Sequence, residues 1–143
     1  MQVKLKAFAE YELDAVNEAA EEYTARLKDV VATPVIPEGF HSSWAQYTVR
    51  FANRAQRDAV QAALKAAGIP AMIYYPKPMH LQTAFAKTPD QVGGDDRNVI
   101  PGLTRNLPVA TSLCERVLSL PMHPYITVDE IDSVCRVIRE TLQ

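Results

Sequence analysis

Gln46-Tyr47-Thr48-Val49-Arg50-Phe51-Ala52-Asn53-Arg54-Ala55-Gln56 is the stretch whose reading decides the fold. Tyr47, Val49 and Phe51 fall on one side of an extended chain, and Gln46, Thr48 and Arg50 on the other. That period of two predicts a half-buried strand. Asn53 with Gln56 three residues later is a capping-box pattern. Val60, Ala63, Leu64 and Ala67 then make one helical face, and Gly68 stands where a helix end favours glycine. A strand with one apolar face leads straight into a helix with one apolar face. The simplest way to bury both is a sheet with helices laid on one side.

Upstream, Ala9, Leu13, Val16, Ala20, Tyr23, Leu27 and Val30 recur at steps of four and three. They predict one long amphipathic helix over residues 1–30. Glu10, Glu12, Asp14, Glu18, Glu21 and Glu22 fall mostly off this stripe and read as its solvated face. No capping signal precedes the helix, so the pattern is already running at Met1, as if its beginning lay further upstream. Thr33-Pro34 and Pro37-Glu38-Gly39 break it, leaving Val35-Ile36 as a short strand.

Downstream, Ala71 to Tyr75 reads as a strand closed by Pro76 and Pro78. Residues 76–106 lack periodicity and form a long loop, functional or partly disordered. Ala84 and Phe85 hint at one helical turn there, and Gly93-Gly94-Asp95-Asp96 at a flexible turn. A helix is predicted from Pro108 to Glu115 with Asn106 as cap, then a short strand from Arg116 to Leu120. The final helix carries the best local signals. Thr127 and Glu130 form a capping box, Ile126 and Ile131 a hydrophobic staple, and Ile131, Val134, Cys135, Ile138 and Leu142 a buried face. The expected fold is an α+β two-layer sandwich, a small mainly antiparallel sheet covered by helices, in one domain over residues 1–143.

Composition narrows the function classes. Hydrophobic residues at 48% and charged residues at 22% suit a soluble globular chain of 143 residues. A net charge of −2 gives no reason to expect nucleic acid or an anionic membrane as partner. No apolar run approaches the roughly 20 residues a membrane span needs. Met1-Gln2-Val3-Lys4-Leu5-Lys6 has no secretory apolar stretch, so a cytoplasmic setting is expected. Cys114 and Cys135 lie in predicted helices beside apolar neighbours and read as core fillers, not as a disulfide. His41, His80 and His123 have no zinc spacing, and there is no nucleophile elbow, P-loop or dinucleotide fingerprint.

Three segments stand out. Ser119-Leu120-Pro121-Met122-His123-Pro124-Tyr125 sets an imidazole and a phenol on a stiff turn after a strand. That suits a polar ligand, because little ordering entropy is lost on binding; it equally fits a prolyl turn with a surface histidine. Tyr74-Tyr75-Pro76-Lys77-Pro78-Met79-His80-Leu81-Gln82 gathers a phenol, an ammonium, an imidazole and an amide in one loop, or is a rigid loop of mixed surface residues. His41-Ser42-Ser43-Trp44-Ala45-Gln46-Tyr47 places the single tryptophan before the clearest strand, as a core or interface anchor.

Taken together, WAQYTVR, YYPKPMHLQ and VLSLPMHPY, with RDAVQAALKAAGIPAMIYYP between them, resemble the C-terminal domain of the DegT/DnrJ/EryC1/StrS sugar aminotransferases. The resemblance runs from about Val3 to the end. It implies the small domain of a fold-type I pyridoxal phosphate enzyme, a homodimer in which the cofactor forms a Schiff base with a lysine of the large domain. Glutamate would be the usual amino donor, and a keto sugar carried on UDP or dTDP the acceptor. His123 and Tyr125 would contact substrate, and Tyr74, His80 and Gln82 would line the same cleft.

The sequence departs from the family where chemistry is concerned. Lys4, Lys6, Lys28, Lys65, Lys77 and Lys87 all lack the context of the family's cofactor lysine. The expectation is therefore a chain with no catalytic, cofactor-binding or metal-binding residue of its own, inactive alone, because the internal aldimine needs that lysine. The exposed stripe of the first helix suggests a second reading, an interaction module that pairs with itself or with a large-domain subunit. A third is a binding domain that keeps only the nucleotide-sugar turn. The stretch from Ala84 to Asn106 is longer than in many relatives, which leaves the shape of the cleft open.

Overall fold

The computed structural model describes residues 2–83 and 107–143. The expectations for Ala84, Phe85, Lys87, residues 93–96 and the Asn106 cap lie outside the described residues.

The alternating stretch forms β1 (Tyr47–Arg50), which pairs antiparallel with β2 (Val117–Leu120); Tyr47 faces Leu120 and Val49 faces Leu118. Two single bridges widen the sheet. Ala32 pairs with Arg50 on the outer side of β1, and Met72 with Ser119 on the outer side of β2, each through two backbone hydrogen bonds of 2.9–3.1 Å. The expected strand Ala71–Tyr75 thus shrinks to the single Met72 pair, and the expected strand Val35-Ile36 does not form, the bridge there falling at Ala32 instead. Val35-Ile36 is flanked by Pro34 and Pro37, and Ala71–Tyr75 by Pro70 and Pro76. Prolines have no N–H to extend a ladder.

Tyr47, Val49, Phe51, Leu118 and Leu120 project to one side of the sheet. There they meet Tyr23 and Leu27 of α2 (Leu13–Leu27), Val60 and Leu64 of α3 (Arg54–Ala66), and Ile131, Val134, Cys135 and Ile138 of α5 (Val128–Leu142). The other side carries Thr48 and Ser119, whose hydroxyls lie 2.8 Å apart. The two-layer α+β sandwich is therefore the observed architecture.

The helix ends follow the sequence signals. The Asn53 side chain accepts from Gln56 N at 2.9 Å, and Gln56 Oε1 accepts from Ala52 N at 3.2 Å, one residue ahead of the cap. At the far end Gly68 takes φ +74°, which brings Gly68 N to Lys65 O and Ile69 N to Leu64 O. This closes the last carbonyls of α3 in a left-handed cap. The full capping box of Thr127 and Glu130 opens α5. α4 (Pro108–Arg116) starts with proline at its first turn and runs directly into β2. Buried Arg57 of α3 donates to Cys114 O at 3.2 Å near the end of α4. Cys114 and Cys135 are free thiols, and Cys135 is fully in the core.

The N-terminal helix departs from expectation. It comprises α1 (Gln2–Ala7), a π-helical turn (Phe8–Glu12) and then α2. Leu13 N reaches back to Phe8 O across the wide turn. A π turn holds one more residue than an α turn, so it rotates the preceding face. Ala9, expected inside, is exposed, and Glu12, expected on the solvated face, is only 2% exposed. Among the described residues no helix is long and apolar enough to cross a membrane.

Candidate functional site

β2 ends at Leu120 and α5 begins at Val128, so the segment carrying His123 and Tyr125 bridges a core strand and a capped helix. It is tethered at both ends. The buried Tyr23 hydroxyl donates to Pro121 O at 3.0 Å, and Ile126 N donates to His123 O at 3.2 Å. Met122 and Ile126 pack against the core. Tyr125 N donates to His123 Nδ1 at 3.3 Å. With Nδ1 accepting, a neutral imidazole carries its proton on Nε2. His123 lines a groove of about 380 Å³ with Pro70, Pro121, Ile126, Glu130 and Ser133.

Tyr125 turns toward the N-terminal helix. Its hydroxyl donates to Glu12 Oε1 at 2.5 Å, and the Lys4 ammonium donates to the same oxygen at 2.5 Å. Lys4 Nζ also sits 5.8 Å from the Tyr125 ring centroid, and the Tyr11 hydroxyl is 3.4 Å from that of Tyr125. The bonds from Lys4 and then Tyr125 hold the Glu12 carboxyl below its usual range, against the opposing effect of burial. The same carboxylate, and then Tyr11, push the Tyr125 phenol well above its ordinary 10.

The other three expected site residues follow the Met72 bridge. Antiparallel pairing of Met72 with Ser119 sends the chain beyond Met72 toward the Val117 end of β2, whereas His123 follows the Leu120 end. Tyr74 is half exposed, His80 sits in the 3-10 turn Met79–Leu81, and the Gln82 amide donates to Lys77 O at 3.4 Å. Among the described residues no hydrogen bond joins Tyr74, His80 or Gln82 to His123 or Tyr125.

Trp44 anchors the remaining segment. Its indole N–H donates to Asn17 Oδ1 at 2.9 Å, and its ring lies 5.4 Å from Tyr47, which stacks on Tyr23 at 5.0 Å. Its φ of +44° is unusual for a side chain of this size, and these contacts hold it there. A groove of about 730 Å³ runs beside it, lined by Asn17, Thr24, Ile36, Phe40 and His41.

Sequence reading missed Lys4, Tyr11, Glu12 and Asn17. For Glu12 there was a signal, since it lies four residues before buried Val16 and so on the continuation of the α2 core face.

A pyridoxal phosphate Schiff base needs a lysine seated in an enclosed site. The Lys4 and Lys6 side chains are 68% and 74% exposed and pair with Glu12 and Glu10. Lys28, Lys65 and Lys77 are also exposed. The described lysines do not fit that role. Among the described residues no group of three His, Cys, Asp or Glu side chains is placed to hold a metal.

Known proteins match this chain strongly. It is 39% identical over 133 residues to the UDP-2-acetamido-2-deoxy-3-oxo-D-glucuronate aminotransferase of Pseudomonas aeruginosa, covering 92% of the chain and 32% of that protein. It is 39% identical over 109 residues to the UDP-N-acetyl-3-dehydro-alpha-D-glucosamine 3-aminotransferase of Acidithiobacillus ferrooxidans, covering 76% of the chain and 25% of that protein. A crystal structure of a DegT/DnrJ/EryC1/StrS aminotransferase from Brucella abortus superposes with a TM-score of 0.75 at 44% identity, covering 92% of the chain and 31% of that structure. The chain thus spans a quarter to a third of the length of these relatives. With residues 2–139 matching the family's sequence pattern, this chain belongs to the DegT/DnrJ/EryC1/StrS aminotransferase family.

Proposed function

We propose that this chain supplies the substrate-facing cover of a pyridoxal-phosphate-dependent nucleotide-sugar aminotransferase in the cytoplasm, and does not transaminate alone. The single observation that carries this reading is the pairing of a rigid His123–Tyr125 turn with described lysines that are all exposed. A turn held by core contacts can present an imidazole N–H and a phenol to a polar ligand with little ordering cost. The amine that anchors the cofactor would then not be one of the described lysines. The two UDP-sugar aminotransferases named above support a UDP-linked keto sugar as the acceptor. Tyr74, His80 and Gln82 are proposed as further contributors to the cleft wall.

The reading is tested by a chimera in which this chain replaces the matching third of the Pseudomonas aeruginosa enzyme. The chimera should transaminate, and His123→Ala should lower kcat/KM for the UDP-sugar by about tenfold or more, the cost of one or two polar contacts. Unchanged kcat/KM in both His123→Ala and Tyr125→Phe would remove this turn from the substrate site.

A second reading is favoured by a specific observation. Leu5, Phe8 and Tyr11 are exposed along the first turns of the N-terminal helix at 61%, 38% and 49%. Apolar side chains in such a row suit a protein partner, either a second copy or a large-domain subunit.

A further inference from the structure

We infer that Glu12 is a positioning residue: it commits the Tyr125 hydroxyl proton to itself, so that Tyr125 meets a ligand as a hydrogen-bond acceptor and selects for a donor, a sugar hydroxyl or an amide N–H. The inference rests on the proposal that Tyr125 faces the nucleotide sugar.

A phenol has one proton to donate and lone pairs to accept with. That proton lies between Tyr125 and Glu12 Oε1 at 2.5 Å. Glu12 is almost completely enclosed, while Tyr125 remains 61% exposed. The open side of the phenol therefore offers lone pairs. Tyr11, at 3.4 Å, can occupy at most one of them. The ammonium of Lys4, on the same carboxylate oxygen, keeps Glu12 anionic and so unable to return a proton.

Glu12 lies four residues before buried Val16, on the core face of α2 carried back by one residue, and there it meets the 121–125 turn. The π turn rotates the residues that precede it. The groups facing the pair are Lys4 and Tyr11 from the N-terminal helix, and His123 from the turn itself. A carboxylate that only filled space would be replaceable by its isosteric amide. A carboxylate that fixes a proton would not.

The test reads the phenol directly. The full 143-residue chain, labelled with carbon-13 at the tyrosine ζ position, is titrated by NMR. In the wild type Tyr125 should titrate clearly above the ordinary tyrosine value of about 10. In Glu12→Gln it should fall back toward that value. Glu12→Asp, which withdraws the carboxylate by one methylene, provides the same reading if the amide variant does not fold. A wild-type Tyr125 that titrates at the ordinary value, or one unmoved by either variant, overturns the proposal.

The second arm uses the chimera. Glu12→Gln should raise KM for the UDP-sugar roughly three- to tenfold, the range carried by one hydrogen bond, with a smaller effect on kcat. In the double variant with Tyr125→Phe, the amide should add little to the effect of the phenylalanine. If Tyr125→Phe weakens the enzyme and Glu12→Gln does not, the positioning role is wrong. If Tyr125→Phe has no effect while the titration shift is present, the substrate-facing reading of Tyr125 fails and the Glu12–Tyr125 link stands.

Discussion

Residues 117–142 and residues 2–12 meet at Tyr125, and they are built by different rules. In the first, every local signal agrees with its surroundings. β2 buries Leu118 and Leu120, Thr127 and Glu130 cap α5, and Ile131, Val134, Cys135 and Ile138 enter one core. In the second, a π turn interrupts the helix, Leu5, Phe8 and Tyr11 face solvent, and among the described side chains the buried one is a carboxylate. The first region is held by packing. The second is held by one charged cluster around Glu12. Agreement across levels marks the part that makes the fold, and local disagreement marks where function is to be sought.

Three experiments sharpen the contrast, from the largest effect to the smallest. Ile138→Ala removes a fully buried side chain from the core between sheet and helices. It should lower unfolding free energy by about 2–5 kcal/mol in urea titrations. A loss under about 1 kcal/mol would mean α5 is not part of the packed unit.

The pH dependence of melting is next. Glu12, Asp29, Asp58 and Glu130 are all held below their ordinary 4.5 (Glu) or 3.8 (Asp), chiefly by hydrogen bonds from Lys4, Arg139, Arg57 and Thr127. A lowered carboxyl adds stability above its unfolded value and loses it as pH falls through the folded one. Burial pushes the Cys135 thiol up from 9.0 to about 11, and raises the phenols of Tyr23 and Tyr47 above 10.0. Raised acids act in the opposite sense: their stability is complete below the unfolded value and fades as pH rises through the folded one. Tm should be level between roughly pH 5 and pH 9 and fall on both sides. The acid limb comes from surface and cluster pairs, and the alkaline limb mainly from the core. Stability still rising below pH 4 would contradict the carboxylate assignments.

The smallest effect belongs to the exposed row. Leu5→Ser with Phe8→Ser should change unfolding free energy by no more than about 0.5 kcal/mol per site. Light scattering should show any self-association of the wild type reduced in this variant. A strictly monomeric wild type at high concentration would count against self-pairing through this face.

What could be read from the sequence follows the same division. Alternation in Tyr47–Phe51, the Asn53 and Thr127 caps and the Gly68 stop are short-range signals with one physical meaning each, and each element stands where they put it. The π turn leaves no comparable trace, because one surplus residue in a helix changes neither composition nor apolar spacing beyond it. Glu12 reads as solvated from its charge, although its spacing from Val16 places it on the core face of α2. The edge strands were overextended because apolar runs such as Ala71–Tyr75 resemble strands until the flanking prolines are counted as missing donors. The His123–Tyr125 turn was legible as stiff and polar. Its connection to the other end of the chain was not, since Tyr125 and Glu12 are 113 residues apart.

The central claim is that this polypeptide covers a cofactor site without anchoring the cofactor. The most direct measurement is borohydride trapping. The purified chain is incubated with pyridoxal phosphate at near-equal concentration, reduced, and analysed by intact-mass and peptide mass spectrometry. The account predicts no stoichiometric pyridoxyl adduct, only scattered low labelling of surface lysines. One lysine modified to completion, with the matching aldimine absorbance before reduction, would contradict it.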